Sequence, residues 1–192
     1  MKPYHVLVDA CDFLPHVSTD LLLSLAEAGV LRISTSALIL HEVERNLVRK
    51  LGLTPAKAAY RVTEMRKFLD EGMTEGFEAR IPFMTNHPGD RHILAAAVES
   101  RANWIVTENI KHYPPDALSQ HGITAIKLSD LLWSLYVDQP EIVKAVMADR
   151  AKRLFNISIP LLLERFCKLA ILKSFAERVQ NDEKLAQSTR SD

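Results

Sequence analysis

Cysteine is scarce in this chain, and its two copies, Cys11 and Cys167, lie far apart without a CxxC pair or a neighbouring histidine. The sequence therefore predicts neither a disulfide framework nor a zinc site, and it favours a reducing compartment. An excess of either charge is also missing, because 24 Lys and Arg balance 24 Asp and Glu. Zero net charge argues against a protein that coats nucleic acid through bulk electrostatics, so any nucleic-acid contact must be local.

Long apolar runs are absent too. No run reaches the roughly 18 to 20 residues of a membrane-spanning helix, and the N-terminus shows no basic segment followed by an apolar stretch and a small-residue cleavage site. We therefore expect a cytoplasmic protein without a membrane partner. Its 192 residues, 47% of them hydrophobic, are enough for one well-buried core with a helical extension.

Short apolar segments alternate with amphipathic ones over most of the chain. Strands are predicted over 5–8, 31–34, 104–106 and 123–128. Helices are predicted over 19–28, 38–51, 55–71, 90–99 and from 129 onwards. Between them, residues 72–89 are predicted to form a loop with a short strand at 77–81. Strands that alternate with helices predict an α/β fold with a mostly parallel central sheet flanked by helices.

The composition turns helical after Pro140, which predicts helices over 141–154 and 159–180. The last residues are polar and typical of a frayed end. We therefore predict three regions: an α/β domain over 1–138, a helical extension over 139–180, and a disordered tail over 181–192.

Acidic and polar residues stand where predicted apolar segments meet a turn or a helix start. The candidates for one shared pocket are Asp9, Glu42, Asp90, Thr107, Glu108 and Asn109. Asp9 and the last three follow predicted strands, and the carboxyl ends of parallel strands share the sheet edge where ligands bind. Converging buried carboxylates repel one another and are costly to desolvate, so a hard divalent cation is the usual reason to tolerate them.

Each candidate also has an ordinary structural interpretation. Asp9 suits a turn after a strand, Glu42 could form a solvated ion pair with Arg45, and Asp90 could simply cap a helix. Asp12 either adds a second carboxylate to the pocket or caps the following helix. No single residue decides between these interpretations.

Secondary candidates lie next to the pocket in sequence. Thr107 and Glu108 offer oxygen ligands, but adjacent side chains on an extended segment point to opposite sides, so Glu108 and Asn109 should not both face a cation. Four residues flank the acidic segments and are candidates for holding substrate phosphates: Arg45, Arg91, Lys111 and His112.

Four blocks of the chain occur in an order typical of a known family: Asp9-Ala10-Cys11 with Phe13-Leu14-Pro15, and the segments 38–47, 90–97 and 105–114. Together they resemble the PIN-domain nucleases, and more narrowly the VapC-type toxin ribonucleases of bacterial toxin–antitoxin pairs. The resemblance implies that Asp9, Glu42 and Asp90 are catalytic metal ligands. Asn109 stands at a fourth catalytic position, where related sequences usually carry aspartate or another polar residue, and His112 replaces a frequent aspartate.

The resemblance also implies a PIN-like three-layer fold and a function. The expected activity is endoribonuclease cleavage that depends on Mg²⁺ or Mn²⁺ and uses a metal-activated water. The expected role is that of the toxin of a type II toxin–antitoxin pair that inhibits translation. The expected partners are an RNA substrate, a cognate antitoxin and a second copy of the chain.

Two alternatives stay open. The first is a phosphatase or phosphotransferase with Asp9 as covalent nucleophile, although such enzymes carry two aspartates one residue apart, whereas Ala10 and Cys11 separate Asp9 from Asp12. The second is a catalytically silent PIN-like module that binds a protein or RNA. The missing fourth aspartate keeps this second alternative open.

Overall fold

A parallel β-sheet of four strands forms the centre of the first part of the chain. The computed structural model describes residues 3–188, with side chains as far as Lys184. The strands are β1 (Tyr4–Val8), β2 (Leu31–Ser34), β3 (Trp104–Val106) and β4 (Thr124–Ile126). They lie in the order β2-β1-β3-β4, and every pairing between them is parallel. The predicted α/β fold with a mostly parallel central sheet is confirmed.

The central strands are buried on both faces. Val6, Leu7 and Val8 of β1 are fully buried, as are Ile105 and Val106 of β3. Continuous apolar runs of this kind are typical of parallel strands that are covered on both sides. The connecting helices of this part are α1 (His16–Glu27), α2 (Ala37–Leu51), α3 (Pro55–Phe68), α4 (Arg91–Ser100) and α5 (Pro115–Ser119).

Helix α2 begins and ends at residues that the sequence marks clearly. The Ser36 hydroxyl accepts a hydrogen bond of 3.3 Å from the Ile39 backbone N–H, as in an N-cap. Gly52 ends the helix with φ of 67°, a left-handed conformation that favours glycine. Because both ends are specified locally, the position of Glu42 on the second turn of α2 is specified as well.

The chain divides into two compact units after Ile126. The second unit contains α6 (Leu128–Asp138), α7 (Pro140–Arg150), a π-helical turn (Ala151–Phe155), α8 (Ile159–Cys167) and α9 (Ala170–Ser188). Helix α6 contacts α7 and α9 within this unit. The division after Ile126 thus lies before the predicted boundary at 138/139, and it assigns α6 to the helical unit. The α/β domain predicted over 1–138 stays a prediction, because the division into compact units does not show which residues form the functional domain.

The strand predicted at 77–81 is wrong. Glu78–Phe83 forms a 3₁₀ helix instead, in which the Arg80 N–H donates to the Phe77 carbonyl and the Met84 N–H donates to the Ile81 carbonyl. Pro82 has no N–H to give to a β-ladder, so this segment satisfies its backbone groups locally.

The single helix predicted over 159–180 is wrong too, because the chain breaks it between Cys167 and Ala170. The N–H groups of Lys168 and Leu169 donate to carbonyls three residues earlier, which tightens the turn. Helices α8 and α9 pack against each other, so each covers the apolar face of the other. The predicted disordered tail is helical as far as Ser188, and its remainder, 189–192, lies outside the described residues.

Candidate active site

Asp9 and Thr107 lie side by side at the carboxyl ends of the neighbouring strands β1 and β3. The Thr107 hydroxyl donates a hydrogen bond of 2.7 Å to Asp9 Oδ2, and the Asp9 N–H donates to the Val106 carbonyl at 2.9 Å. Thr107 Oγ1 in turn accepts a hydrogen bond of 3.1 Å from the Asn109 N–H. Thr107 therefore positions the Asp9 carboxylate and joins it to the loop that carries Asn109.

Asp9 is a buried carboxyl group beside another acid. Burial raises its pKa, the Thr107 hydrogen bond opposes this, and the charge of Asp90 raises the pKa further. The charges of Asp9 and Asp90 therefore act on each other. A bound divalent cation would reverse this electrostatic cost, because it favours the ionised form of both acids.

Asp90 ends a 3₁₀ turn (Pro88–Asp90) just before α4, but its side chain makes no capping hydrogen bond to that helix. Asp90 Oδ2 lies 2.6 Å from His112 Nδ1 and 3.9 Å from His87 Nδ1. The interpretation of Asp90 as a helix cap alone is therefore wrong. The sequence did not single out His87, since only the turn geometry brings it to Asp90.

Glu42 faces a histidine from α4. Its carboxylate lies 3.6 Å from His92 Nε2 and 3.7 Å from an Arg45 guanidinium nitrogen. The contact with His92 is the main cause that lowers the pKa of Glu42, and the positive charge of Arg45 adds to it. The predicted ion pair with Arg45 therefore exists, and Glu42 stays ionised at neutral pH.

Asp12 is completely buried. Its Oδ2 accepts a hydrogen bond of 3.0 Å from the Cys11 thiol, while its Oδ1 has no hydrogen-bond partner among the described residues. Helix α1 starts after Pro15 without a side-chain cap, so Asp12 does not cap it. One donor atom each of Asp9, Cys11 and Asp12 lie within 4.8 Å of one another. A second carboxylate thus lies beside Asp9.

Burial raises the pKa of Asp12 to about 7, and the charges of Asp9 and Glu108 contribute to the rise. Below the ordinary pKa of 3.8 the carboxyl is protonated in both the folded and the unfolded chain. Between that value and about 7 only the unfolded chain loses the proton, so stability falls as the pH rises through this window.

We expect Asp12→Asn to remove this pH dependence from the metal-free protein. The free-energy gap between the variant and the wild type should grow between about pH 4 and about pH 7 by on the order of 4 kcal/mol, at about 1.4 kcal/mol per pKa unit. Urea denaturation in the presence of a chelator at both pH values measures the gap. A gap that does not change with pH would show that folded Asp12 ionises normally.

Tyr113 is a pocket residue that the sequence analysis missed. Its ring is buried, and its hydroxyl has no hydrogen-bond partner within the described residues. Burial raises the pKa of the phenol, and the charges of Asp9, Asp90 and Glu42 raise it further. The three predicted acids therefore all act on one buried hydroxyl. A buried donor without a partner usually marks a place for a water molecule or a ligand.

The remaining predicted residues differ in their surroundings. Thr107 is buried, Glu108 is exposed and Asn109 is half-buried, which agrees with opposite orientations for the last two. Of the basic candidates, Arg45 and Lys111 are exposed, whereas Arg91 is half-buried and its Nε has no partner in the described part of the chain. The Nδ1 atom of His112 is engaged by Asp90, so Nε2 is the ring nitrogen that could contact a substrate phosphate in this arrangement.

These donors suit a hard divalent cation. The charges of Asp9, Asp90 and Glu42 all act on the Tyr113 hydroxyl, and carboxylate oxygens are ligands that Mg²⁺ and Mn²⁺ prefer. The unpartnered Asp12 Oδ1 and Tyr113 hydroxyl provide further oxygens. The cluster therefore fits the group that the sequence resemblance implies.

Comparison with known proteins identifies the family. A family model described as PIN domain matches residues 5–111, more than half of the chain. The chain belongs to the PIN-domain family. It is also 46% identical over 72 residues to a protein named "Putative ribonuclease VapC50" from Mycobacterium tuberculosis. The predicted family, including the likeness to VapC-type proteins, is confirmed.

The likeness to that relative is local. The matched segment spans 38% of this chain and 43% of the relative's length. No solved structure matches the chain significantly. Among the described residues, no helix has both the length and the apolar character needed to span a membrane.

Proposed function

We propose that the protein is a divalent-metal-dependent endoribonuclease that hydrolyses RNA phosphodiester bonds. The observation that carries the proposal is the buried Asp9 carboxylate, which Thr107 holds at the carboxyl edge of the sheet through a hydrogen bond of 2.7 Å. The charges of Asp9, Asp90 and Glu42 also act on the same buried Tyr113 hydroxyl. PIN-domain membership supports nuclease chemistry, and the likeness to a protein named as a ribonuclease supports RNA as the substrate.

Mg²⁺ or Mn²⁺ is the proposed cofactor, and the proposed ligands are Asp9, Asp90 and Glu42. A bound divalent cation supplies Lewis acidity that activates water and neutralises charge on the reacting phosphate. Asn109 is the proposed fourth catalytic position, and Asp12, Thr107 and Glu108 are proposed secondary contributors.

The protein's own residues would prepare this site in three ways. Thr107 holds Asp9 through its hydroxyl, so that one carboxylate oxygen is already oriented. Glu42, whose pKa is lowered by the contact with His92, offers an ionised carboxylate to the cation at neutral pH. Arg45, Arg91 and Lys111 carry the charge needed to hold substrate phosphates. The proposed phosphate contact of His112 would use Nε2, since Nδ1 contacts Asp90.

The simplest test is cleavage of a mixed RNA pool by the purified full-length chain. We expect cleavage with Mg²⁺ or Mn²⁺, full loss in the presence of a chelator, and products with a 5′ phosphate. Intact RNA under all metal conditions would instead favour the silent binding module. Trapping of a phosphorylated Asp9 would favour the phosphatase alternative.

We further propose that the protein is the toxin of a type II toxin–antitoxin pair, acting on translation in the cytoplasm as a homodimer. The likeness to a VapC-named protein supports this role. Expression of the chain alone should arrest growth, and co-expression of its antitoxin, a small DNA-binding protein encoded beside it, should restore growth. Normal growth during expression of the active chain would exclude the toxin role.

A further inference from the structure

A cluster of two histidines and a carboxylate lies at the mouth of the proposed active site. His112 Nδ1 lies 2.6 Å from Asp90 Oδ2, and His87 Nδ1 lies 3.9 Å from the same oxygen. The two imidazole rings stack with their centroids 4.2 Å apart and their planes 15° apart. One donor atom from each of these three residues lies within 4.8 Å of the others.

The backbone holds this arrangement in place. The His87 N–H donates to the His112 carbonyl at 3.0 Å, and the Asp90 N–H donates to the His87 carbonyl at 2.9 Å. The two 3₁₀ turns that carry the cluster are therefore tied together by main-chain hydrogen bonds. The main chain therefore helps to hold the two histidines close to Asp90.

The spacing of the donor atoms is close to that of a metal centre. Two ligands that each lie about 2.0 to 2.1 Å from a tetrahedral zinc ion are about 3.3 Å apart. The distances of 2.6 Å and 3.9 Å to Asp90 Oδ2 lie on either side of this value. One donor atom of each residue already lies within 4.8 Å of the others, and rotation of the stacked imidazole rings would turn their in-plane lone pairs toward a common ion.

We propose that His87, Asp90 and His112 form a second cation site, which takes a borderline transition-metal ion such as Zn²⁺. Imidazole nitrogen suits Zn²⁺ far better than Mg²⁺, which prefers oxygen. The site therefore differs in metal preference from the carboxylate cluster around Asp9, although Asp90 belongs to both. His87 is half-exposed, so water can complete the coordination.

Binding changes two hydrogen bonds. The ion takes the place of the proton between His112 Nδ1 and Asp90 Oδ2. A neutral His112 then keeps its one ring proton on Nε2, whereas an imidazolium keeps the Nε2 proton and releases the Nδ1 proton to solvent. It also takes the lone pair of His87 Nδ1, which otherwise accepts a long hydrogen bond of 3.3 Å from the Gly89 N–H. The Gly89 N–H lies at an exposed turn and can bond to water instead.

Calorimetric titration of the full chain with Zn²⁺ in Mg²⁺-free buffer tests the site. Mg²⁺ is left out because Asp90 is also a proposed Mg²⁺ ligand. We expect one Zn²⁺ per chain, with affinity weakened at least about tenfold in His87→Asn and in His112→Asn. The matched control is His16→Asn, since His16 is an exposed histidine on α1, and it should bind Zn²⁺ like the wild type.

The proposal is overturned if the wild type shows no stoichiometric Zn²⁺ binding, or if His87→Asn binds Zn²⁺ as tightly as His16→Asn. Because His87 is half-exposed, its substitution should not unfold the chain, and circular dichroism checks this. The inference does not depend on RNA cleavage. If the chain binds Zn²⁺ as expected but never cleaves RNA, only the proposed function is contradicted. If the chain cleaves RNA but His87→Asn leaves its Zn²⁺ affinity unchanged, only this site is contradicted.

Discussion

Replacing any one of Asp9, Glu42 or Asp90 by its amide should lower metal-dependent RNA cleavage by at least about 10² to 10³-fold. Each substitution keeps the size of the side chain but removes a negative charge that the proposed cation requires. The measurement is the initial rate of cleavage of one defined RNA at saturating Mn²⁺, with each variant purified to the same standard.

The same variants should differ in the stability of their metal-free forms. Asp9→Asn should keep or raise the free energy of unfolding, because burial and the charge of Asp90 both disfavour the ionised Asp9. Glu42→Gln should lower it slightly, because Glu42 loses its ionic interactions with His92 and Arg45. A lost activity that accompanies a normal or raised stability cannot be attributed to unfolding.

Controls make this prediction specific. Glu64→Gln on α3 removes an exposed carboxylate that pairs with Lys67 at 2.8 Å, and it should leave cleavage unchanged. Asn109→Asp, which adds charge at the proposed fourth position, should bind Mn²⁺ at least as tightly as the wild type. Wild-type rates in all three amide variants would refute the proposed metal site.

Phe175→Ala should lower the free energy of unfolding of the helical unit by about 3 to 5 kcal/mol. Phe175 on α9 is fully buried, and its ring packs edge-on against Tyr136 of α6 with centroids 6.4 Å apart. Removal of the ring leaves a cavity between these helices, and packed helices collapse only partly around such a space.

Leu161→Ala is the matched control, because Leu161 lies on α8 with 42% of its surface exposed. Its substitution should change the unfolding free energy by at most about 0.5 kcal/mol. Urea denaturation followed by far-ultraviolet circular dichroism measures both variants. Equal effects would show that the buried contacts of α9 do not stabilise the unit.

The packing around Phe175 also explains what covers the apolar residues of the helical region. The apolar residues over 159–180 must be buried against other apolar surface. Helices of the same unit provide that surface, because α8 packs on α9 and α9 packs on α6. A surplus of apolar residues in the sequence therefore does not by itself require a dimer or an antitoxin at this place. A role of the helices in partner binding stays a prediction.

The elements that the sequence placed well are those with strong local signals. The strands β1 and β3 are short apolar runs, and α2 has both a serine cap and a terminal glycine. The break after Cys167 was missed because the apolar spacing continues across it. The break lies at a turn in which the N–H groups of Lys168 and Leu169 donate to carbonyls three residues earlier, a turn that the apolar spacing does not reveal.

The candidate site shows the same division. Asp9 and Thr107 could be paired from sequence because parallel strands present their carboxyl ends at one edge. The approach of His112 and His87 to Asp90 could not, because it depends on two 3₁₀ turns whose geometry local propensity does not specify. Tyr113 escaped notice for a related reason, since an aromatic residue before proline gives no sign that its hydroxyl is buried among acids.

By itself, then, the sequence determined the α/β order of elements, the family and the acids at the strand ends, because apolar periodicity and sheet-edge geometry are local or topological properties. Only the tertiary structure decided which groups surround those acids. Burial makes Asp12 a group with a pKa of about 7, and the meeting of two turns makes Asp90 a partner of two histidines. Desolvation and interatomic distance set these properties, and both arise only when distant parts of the chain pack together.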